Sequence, residues 1–320
     1  MGHVVVIGGL GFIGLHVAKH FAMEGWRVTA IARSSSKNRK LILNTPLDNI
    51  CVVDADARDI RCLRQYIQSA DVVFPLTAPA GGRSALEIEP HLRREADEID
   101  EALIHTLIEL GENGPLTVGA GSRLQYGNPH SLPVNESTPL EPVCKYGLWK
   151  NHQEALLRGA VEDYGIRATW LRISSVYGHS VGKAGGFGGG IVATFFSRAS
   201  SNQPLDIFDT GSQIRDYIYI DDLLGLLGKI VSNQLGEGET FNAGGFPLSV
   251  RELAELIMST CGAGSLRFRN CPAAGPPETG DYIGSTDRAF RVLGWRPRTS
   301  LQSGIWCTWK LGRSEVSWRS

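Results

Sequence analysis

The sequence is most easily read first through what it lacks. Its six cysteines (Cys51, Cys62, Cys144, Cys261, Cys271 and Cys307) show no CxxC and no Cys/His metal spacing. They read as reduced thiols rather than a disulfide framework or a zinc site. No metal is expected. No apolar run is long enough to cross a bilayer, and the chain opens directly on a strand-like run with no room for a signal peptide. A cytoplasmic location is the expectation. Lys and Arg number 32 against 33 Asp and Glu, a formal net charge of -1. No global field therefore draws in nucleic acid or an anionic membrane. There is no internal repeat, and low complexity is confined to Ser34 to Ser36 and Gly185 to Gly190. His179 and the other histidines lack triad or metal partners in the pattern and read as structural.

What is present is apolar bulk and glycine. Hydrophobic residues make up 42% of 320, with 38 glycines, enough for a large α/β core. The chain is organised around its first turn. Val4, Val5, Val6 and Ile7 form a short β-branched run, as a buried parallel strand would. Gly8, Gly9, Gly11 and Gly14 follow, overlapping a helical pattern of Phe12, Ile13, Leu15, Val17, Ala18, Phe21 and Ala22. Strand, glycine turn and helix in that order predict a dinucleotide site. The glycines admit a pyrophosphate close to the backbone, and the helix N-terminus offers it N–H groups.

Residues 26–33 read as a second strand. NAD sites usually carry an acidic residue at its end, for the ribose hydroxyls. Here stand Ala32 and Arg33, then Ser34, Ser35, Ser36, Lys37 and Arg39. A guanidinium with hydroxyls suits a 2′-phosphate, so NADP(H) is expected over NAD(H). The alternative is a solvated basic loop beside an unselective pocket. A third strand over 50–53 places Asp56 to accept from the adenine amino group, beside Ala57, while Asp59 fits a helix N-cap. A fourth strand, residues 71–76, leads through Leu76, Thr77 and Ala78 past the nicotinamide ribose. Pro90 to Leu110 reads as a long helix in which Glu95, Asp97, Glu98 and Glu101 form a solvated face. A fifth strand over 116–121 ends at Ser122.

Tyr146 and Lys150 stand at i and i+4, on one face of a helix. The ammonium is expected to lower the phenol from about 10 towards neutrality. Such a phenol exchanges a proton with a sugar or alcohol oxygen. Ser122 is placed to hold that oxygen, and Lys150 the nicotinamide ribose.

The chain resembles an extended short-chain dehydrogenase/reductase of the NAD(P)-dependent nucleotide-sugar epimerase/dehydratase type. The matches are Gly8 to Gly14, Asp56 to Asp59, Ser122 to Gly127, Tyr146 with Lys150, Leu171-Arg172, Val176 to Gly178, Gly211 to Asp222 and Leu293 to Pro297. The resemblance implies an α/β, Rossmann-type doubly wound parallel sheet over residues 1–173. It implies a smaller α/β substrate lobe, mainly residues 174–320, with some segments returning to the sheet. It implies a nucleoside-diphosphate sugar contacted by Ser122, Arg123, Tyr146, Ser175 and Arg215, and a homodimer. Ser175 stands where relatives often carry Asn. Arg215 is the expected diphosphate contact, with an ion pair to Asp216 or Asp221 as its alternative. Residues 179–190 read as a lid or a plain linker, and Pro276-Pro277-Glu278 replaces a usual Arg-Pro pair.

Three reactions share these residues. A 4,6-dehydratase usually has an acidic pair after the serine, where this chain has Arg123 and Leu124. A 4-epimerase leads, and an NADPH-dependent 4-ketoreductase follows. A non-catalytic NADP-sensing protein usually loses the Tyr/Lys pair kept here.

Overall fold

The computed structural model describes residues 2–33, 49–78, 86–87, 89–180, 186–233, 237–270 and 280–314. Five early strands, β1 (His3–Ile7), β2 (Arg27–Ala32), β3 (Ile50–Asp54), β4 (Val72–Pro75) and β5 (Leu116–Ala120), join β6 (Ala168–Ile173) and β11 (Thr240–Ala243) in one sheet. Its order is β11-β6-β5-β4-β1-β2-β3, seven strands, every neighbouring pair parallel. The order runs outwards from β1 in both directions, so a crevice opens beyond the carboxyl ends of β1 and β4, where such sheets bind ligands.

Consecutive residues of β1 face opposite sides, and both sides are covered. Val4 and Val6 pack with Val17 and Phe21 of α1 (Phe12–Met23). Val5 and Ile7 pack with Leu63 of α2 (Ile60–Ile67), Leu103 and Leu107 of α3 (Pro90–Leu110) and Leu157 of α4 (Lys145–Tyr164). That double burial explains why β1 is an unbroken apolar run. Edge strand β3 is only partly buried. Asp59 caps α2, accepting from the Arg61 and Cys62 amides.

The rest of the chain builds a second layer. Strands β7 (Ser175–His179), β8 (Phe187–Gly188), β10 (Ile214–Tyr219) and β12 (Phe246–Ser249) form a mixed sheet ordered β12-β10-β7-β8. Strands β9 (Pro204–Phe208) and β13 (Ser265–Arg269) pair in parallel. Helices α5 (Gly190–Ser200), α6 (Ile220–Asn233), α7 (Val250–Cys261), α8 (Asp287–Leu293) and α9 (Leu301–Ser314) follow, with α6 also packed on α1 and α8 on β11 of the main sheet. Ser249 caps α7 in a reciprocal box with Glu252, as the sequence pattern predicts. The crossover back into β11 ties this half to the main sheet.

Candidate active site

The glycine turn is fixed by its own backbone. The amides of Gly8 and Gly9 both bond the Ile31 carbonyl, at 2.8 and 3.1 Å, which ties the turn to β2. Gly8 has φ +80°, and a Cβ there would lie 2.8 Å from the Leu76 carbonyl oxygen. A Cβ on Gly14 would lie 2.3 Å from the Gly8 carbonyl oxygen. No side chain caps α1, whose N-cap is Gly11. The result is a cradle of bare backbone at a helix N-terminus, the arrangement that accepts a pyrophosphate.

Above this cradle lies a cavity of about 670 Å³. Its wall includes Gly8, Gly11, Phe12, Ile13, Gly14, Arg33, Ala57, Leu76, Thr77, Ala78, Ser122, Tyr146 and Lys150. Thirteen expected positions, drawn from six separate stretches of the chain, thus meet in one space. Ser34, Ser35 and Lys37 lie outside the described residues.

Four expected contacts do not reach this wall. Asp56 turns aside to Arg58, 2.6 Å from its Nη2, which holds its carboxyl down to about 2. Its oxygens are engaged by the guanidinium two residues away. Ser175 lies in β7, in register with Tyr217 of β10. The Arg123 guanidinium lies 5.7 Å from the Tyr282 ring centroid. Arg215 is buried in β10 and donates from Nη1 to the carbonyls of Ile214 (2.9 Å) and Gly280 (3.1 Å). Asp216 accepts from Ser174 Oγ and from the amides of Gly245 and Gly284.

Ser122 is locally pre-set. It caps a one-turn 3-10 helix, Arg123–Gln125. Its Oγ accepts from the Leu124 amide at 3.3 Å, and its own amide donates to Gln125 Oε1 at 2.9 Å. With the oxygen so engaged, the hydroxyl proton is directed to other acceptors.

Tyr146 and Lys150 share the cavity wall, as their spacing on α4 requires. Their electrostatics differ from expectation. Burial pushes the Tyr146 phenol up to about 12, with Cys144 adding to the rise. The Lys150 Nζ stands 5.9 Å from the Tyr146 ring centroid but 4.2 Å from that of Trp149. Burial also pushes Lys150 down to about 8, with Asp100 acting against the fall. The expected acidification of the phenol is absent from the chain alone, because desolvation opposes charge on both groups.

Sequence reasoning missed the groups that hold Lys150. Its Nζ donates to Gln153 Oε1 (2.8 Å), and Gln153 Nε2 donates to Asp100 Oδ1 (2.6 Å). Trp149 Nε1 donates to Asp100 Oδ2 at 2.8 Å. Burial raises the Asp100 carboxyl while these bonds and the Lys150 charge oppose it. It also missed that Leu92, Glu95, Ala96 and Ile99 of α3 line the cavity. Their i, i+3, i+4 and i+7 spacing was the available signal. No group of three His, Cys, Asp or Glu among the described residues is arranged for a metal. No helix among them is long and apolar enough to cross a membrane.

A family model for the NAD dependent epimerase/dehydratase family matches residues 4–244. The chain belongs to that family. A UDP-glucose 4-epimerase of Mycolicibacterium smegmatis is 26% identical over 307 residues, covering 94% of this chain and 95% of the relative. Among solved structures, a UDP-glucose 4-epimerase of Thermotoga maritima, solved with UDP-glucose, superposes with a TM-score of 0.84 at 26% identity. The match covers 98% of this chain and 99% of that one. A dTDP-glucose 4,6-dehydratase of Streptomyces venezuelae, solved with NAD, shares the fold at a TM-score of 0.86 and 20% identity, over 99% and 98% of the chains. The Rossmann-type parallel sheet that the resemblance implies is the one seen here.

Proposed function

We propose that the chain is an NAD(P)-dependent nucleotide-sugar 4-epimerase with Tyr146 as its acid/base. The observation that carries this reading is the meeting of Ser122, Tyr146 and Lys150 on one cavity with the glycine cradle. The cradle fits a dinucleotide, since a side chain at Gly8 or Gly14 would fill it. Gly11, Phe12, Ile13 and Gly14 would hold its pyrophosphate, and Thr77, Ala78 and Lys150 its nicotinamide ribose. When bound, the nicotinamide supplies the hydride acceptor and, oxidised, a positive charge that favours phenolate.

The chain's own groups handle the proton. At rest the raised phenol keeps its proton on Tyr146. Ser122 donates to the reacting sugar oxygen and orients it. Tyr146, once ionised, takes the proton of that hydroxyl and later returns it. Lys150 stabilises the phenolate, and each ion offsets the other's desolvation. Residues 174–320, apart from the segments returned to the main sheet, are proposed to close over the nucleoside-diphosphate sugar. Arg215, Arg123 and Ser175 remain proposed contacts there, which closure would have to bring to the substrate.

An NADPH-dependent 4-ketoreductase is the second reading, favoured by Arg33 on the cavity wall. A 4,6-dehydratase is disfavoured by Arg123 and Leu124. A non-catalytic NADP sensor is disfavoured by the intact Ser122, Tyr146 and Lys150. Leu148 and Tyr164 stand exposed on α4 and support a homodimer packed through α3 and α4. The described cysteines are free, which suits a cytoplasmic setting.

The test is incubation with a panel of nucleotide sugars and both cofactors, following reduced nicotinamide and product identity. An isomeric product without net cofactor consumption is expected; stoichiometric consumption of NADPH would favour the reductase. Tyr146→Phe should cut turnover by about 10²- to 10⁴-fold. Unchanged turnover in that variant overturns the assignment of Tyr146.

A further inference from the structure

The cofactor end of the cavity holds a carboxylate in an unexpected place, and its meaning rests on the dinucleotide site proposed above. We propose that Glu95 of α3 selects the cofactor: it supplies the carboxylate that the end of β2 lacks, and makes the site one for NAD(H) rather than NADP(H).

Ala32 and Arg33 line the cavity at the end of β2, and Glu95 lines it from α3. Arg33 Nη1 and Glu95 Oε2 are 3.1 Å apart. Glu95 shares its face of α3 with Leu92, Ala96 and Ile99, all on the cavity wall. A carboxylate amid an apolar stripe that faces a cavity is not part of an outward solvated face. It brings two acceptor oxygens to the end of the site where ribose hydroxyls need one.

The surrounding charge points the same way. Arg33 lies close enough to lower the Asp56 carboxyl. Arg58 bridges Asp56 at 2.6 Å and Glu98 at 3.2 Å. Among the described residues, two guanidiniums, Arg33 and Arg58, thus face three carboxylates, Glu95, Asp56 and Glu98. Arg33 is the guanidinium on the cavity wall among the described residues, and it is already paired. A 2′-phosphate would have to displace Glu95 from Arg33 or lie beside it, and a carboxylate next to a phosphate is repulsive. A ribose diol needs no displacement, since it can donate to Glu95 while Arg33 stays in place.

The experiment is calorimetric titration of the purified chain with NAD+ and with NADP+. The variants are Glu95→Gln and the double change Ala32→Asp with Glu95→Gln. Wild type should bind NAD+ about tenfold or more tighter than NADP+, the worth of one charge-assisted hydrogen bond. Glu95→Gln should shrink that ratio about tenfold by weakening NAD+ and freeing Arg33 for NADP+. Ala32→Asp in that background should restore it. A wild type that prefers NADP+, or a ratio unmoved by Glu95→Gln, overturns the role of Glu95 while leaving the dinucleotide site standing. Binding of neither dinucleotide overturns both.

Discussion

Lys150 and Arg172 are both buried cations served by α4, and the molecule treats them in opposite ways. Arg172 meets its counter-ion directly, with Nη2 2.6 Å from Glu154 Oε1 and Nε 3.0 Å from Oε2. Its Nη1 also donates to Tyr126 OH and to the Glu136 carbonyl. Burial works against its charge, yet Glu154 and Tyr126 outweigh burial and raise its affinity for the proton. Among the described residues, the Lys150 nitrogen meets the neutral amide of Gln153 and the face of Trp149, with the carboxylate of Asp100 one residue further off. Its proton is therefore loosely held, near 8. Gln153 and Glu154 are neighbours in the chain, so a single residue step of about 100° around α4 separates the directly paired cation from the indirectly paired one. The satisfied pair serves the fold. The other charge lines the cavity, where the proposed mechanism puts it to use.

The sharpest way to break this comparison is by stability. Glu154→Ala leaves Arg172 charged, buried and unpaired, and should cost about 3–5 kcal/mol in urea unfolding. Lys150→Met removes a charge that burial penalises, so the folded state should lose nothing or gain slightly, while turnover falls about a hundredfold. Equal destabilisation by the two changes would show that Lys150 is structural as well.

The next effect is set by pH. The Lys150 proton is held near 8 in the folded chain, against an ordinary 10.5. Between these values the unfolded chain binds more protons, so this residue's contribution to unfolding free energy rises with pH. Any stability advantage of Lys150→Met should accordingly shrink from pH 8 to pH 10.5 and vanish above it. Wild-type kcat/KM should fall as Lys150 deprotonates above about 8. A flat profile to pH 10 would remove the lysine from the mechanism.

The smallest expected effect concerns Asp100. Its charge raises the Lys150 value, so Asp100→Asn should move the alkaline limb of kcat/KM downwards, by less than about one unit. A limb that stays put, with activity merely reduced, would make Asp100 a packing partner of Trp149 and nothing more.

What was legible in the sequence follows from range along the chain. The glycine turn, α3 from Pro90 to Leu110, the Ser249 cap and the i,i+4 placement of Tyr146 and Lys150 are local patterns, and the structure has them. Pairings across elements left no such trace. Glu95 read as part of a polar face because its partner Arg33 is 62 residues away. The place of Asp56 after β3 gave no sign of its pairing with the arginine at i+2. The spacing of Tyr146 and Lys150 fixed their neighbourhood but not their proton affinities. Those depend on Trp149, Gln153 and Asp100 and on how much water the packed helices exclude.

The reciprocal cap at Ser122 has a wider consequence. Gln125 offers its oxygen to the Ser122 amide because its nitrogen is committed to Glu154 Oε2 at 2.6 Å and Asn151 Oδ1 at 3.1 Å. The amide cannot turn over without orphaning a buried donor. The backbone of Ser122, whose hydroxyl is the proposed substrate contact, is thus tied through Gln125 to the same carboxylate that pairs with Arg172. A shift of the serine would disturb Gln125, Glu154 and Arg172 together. Under the proposed function, new sugar preferences should therefore arise by changes in residues 174–320, with the serine left where the fold has put it.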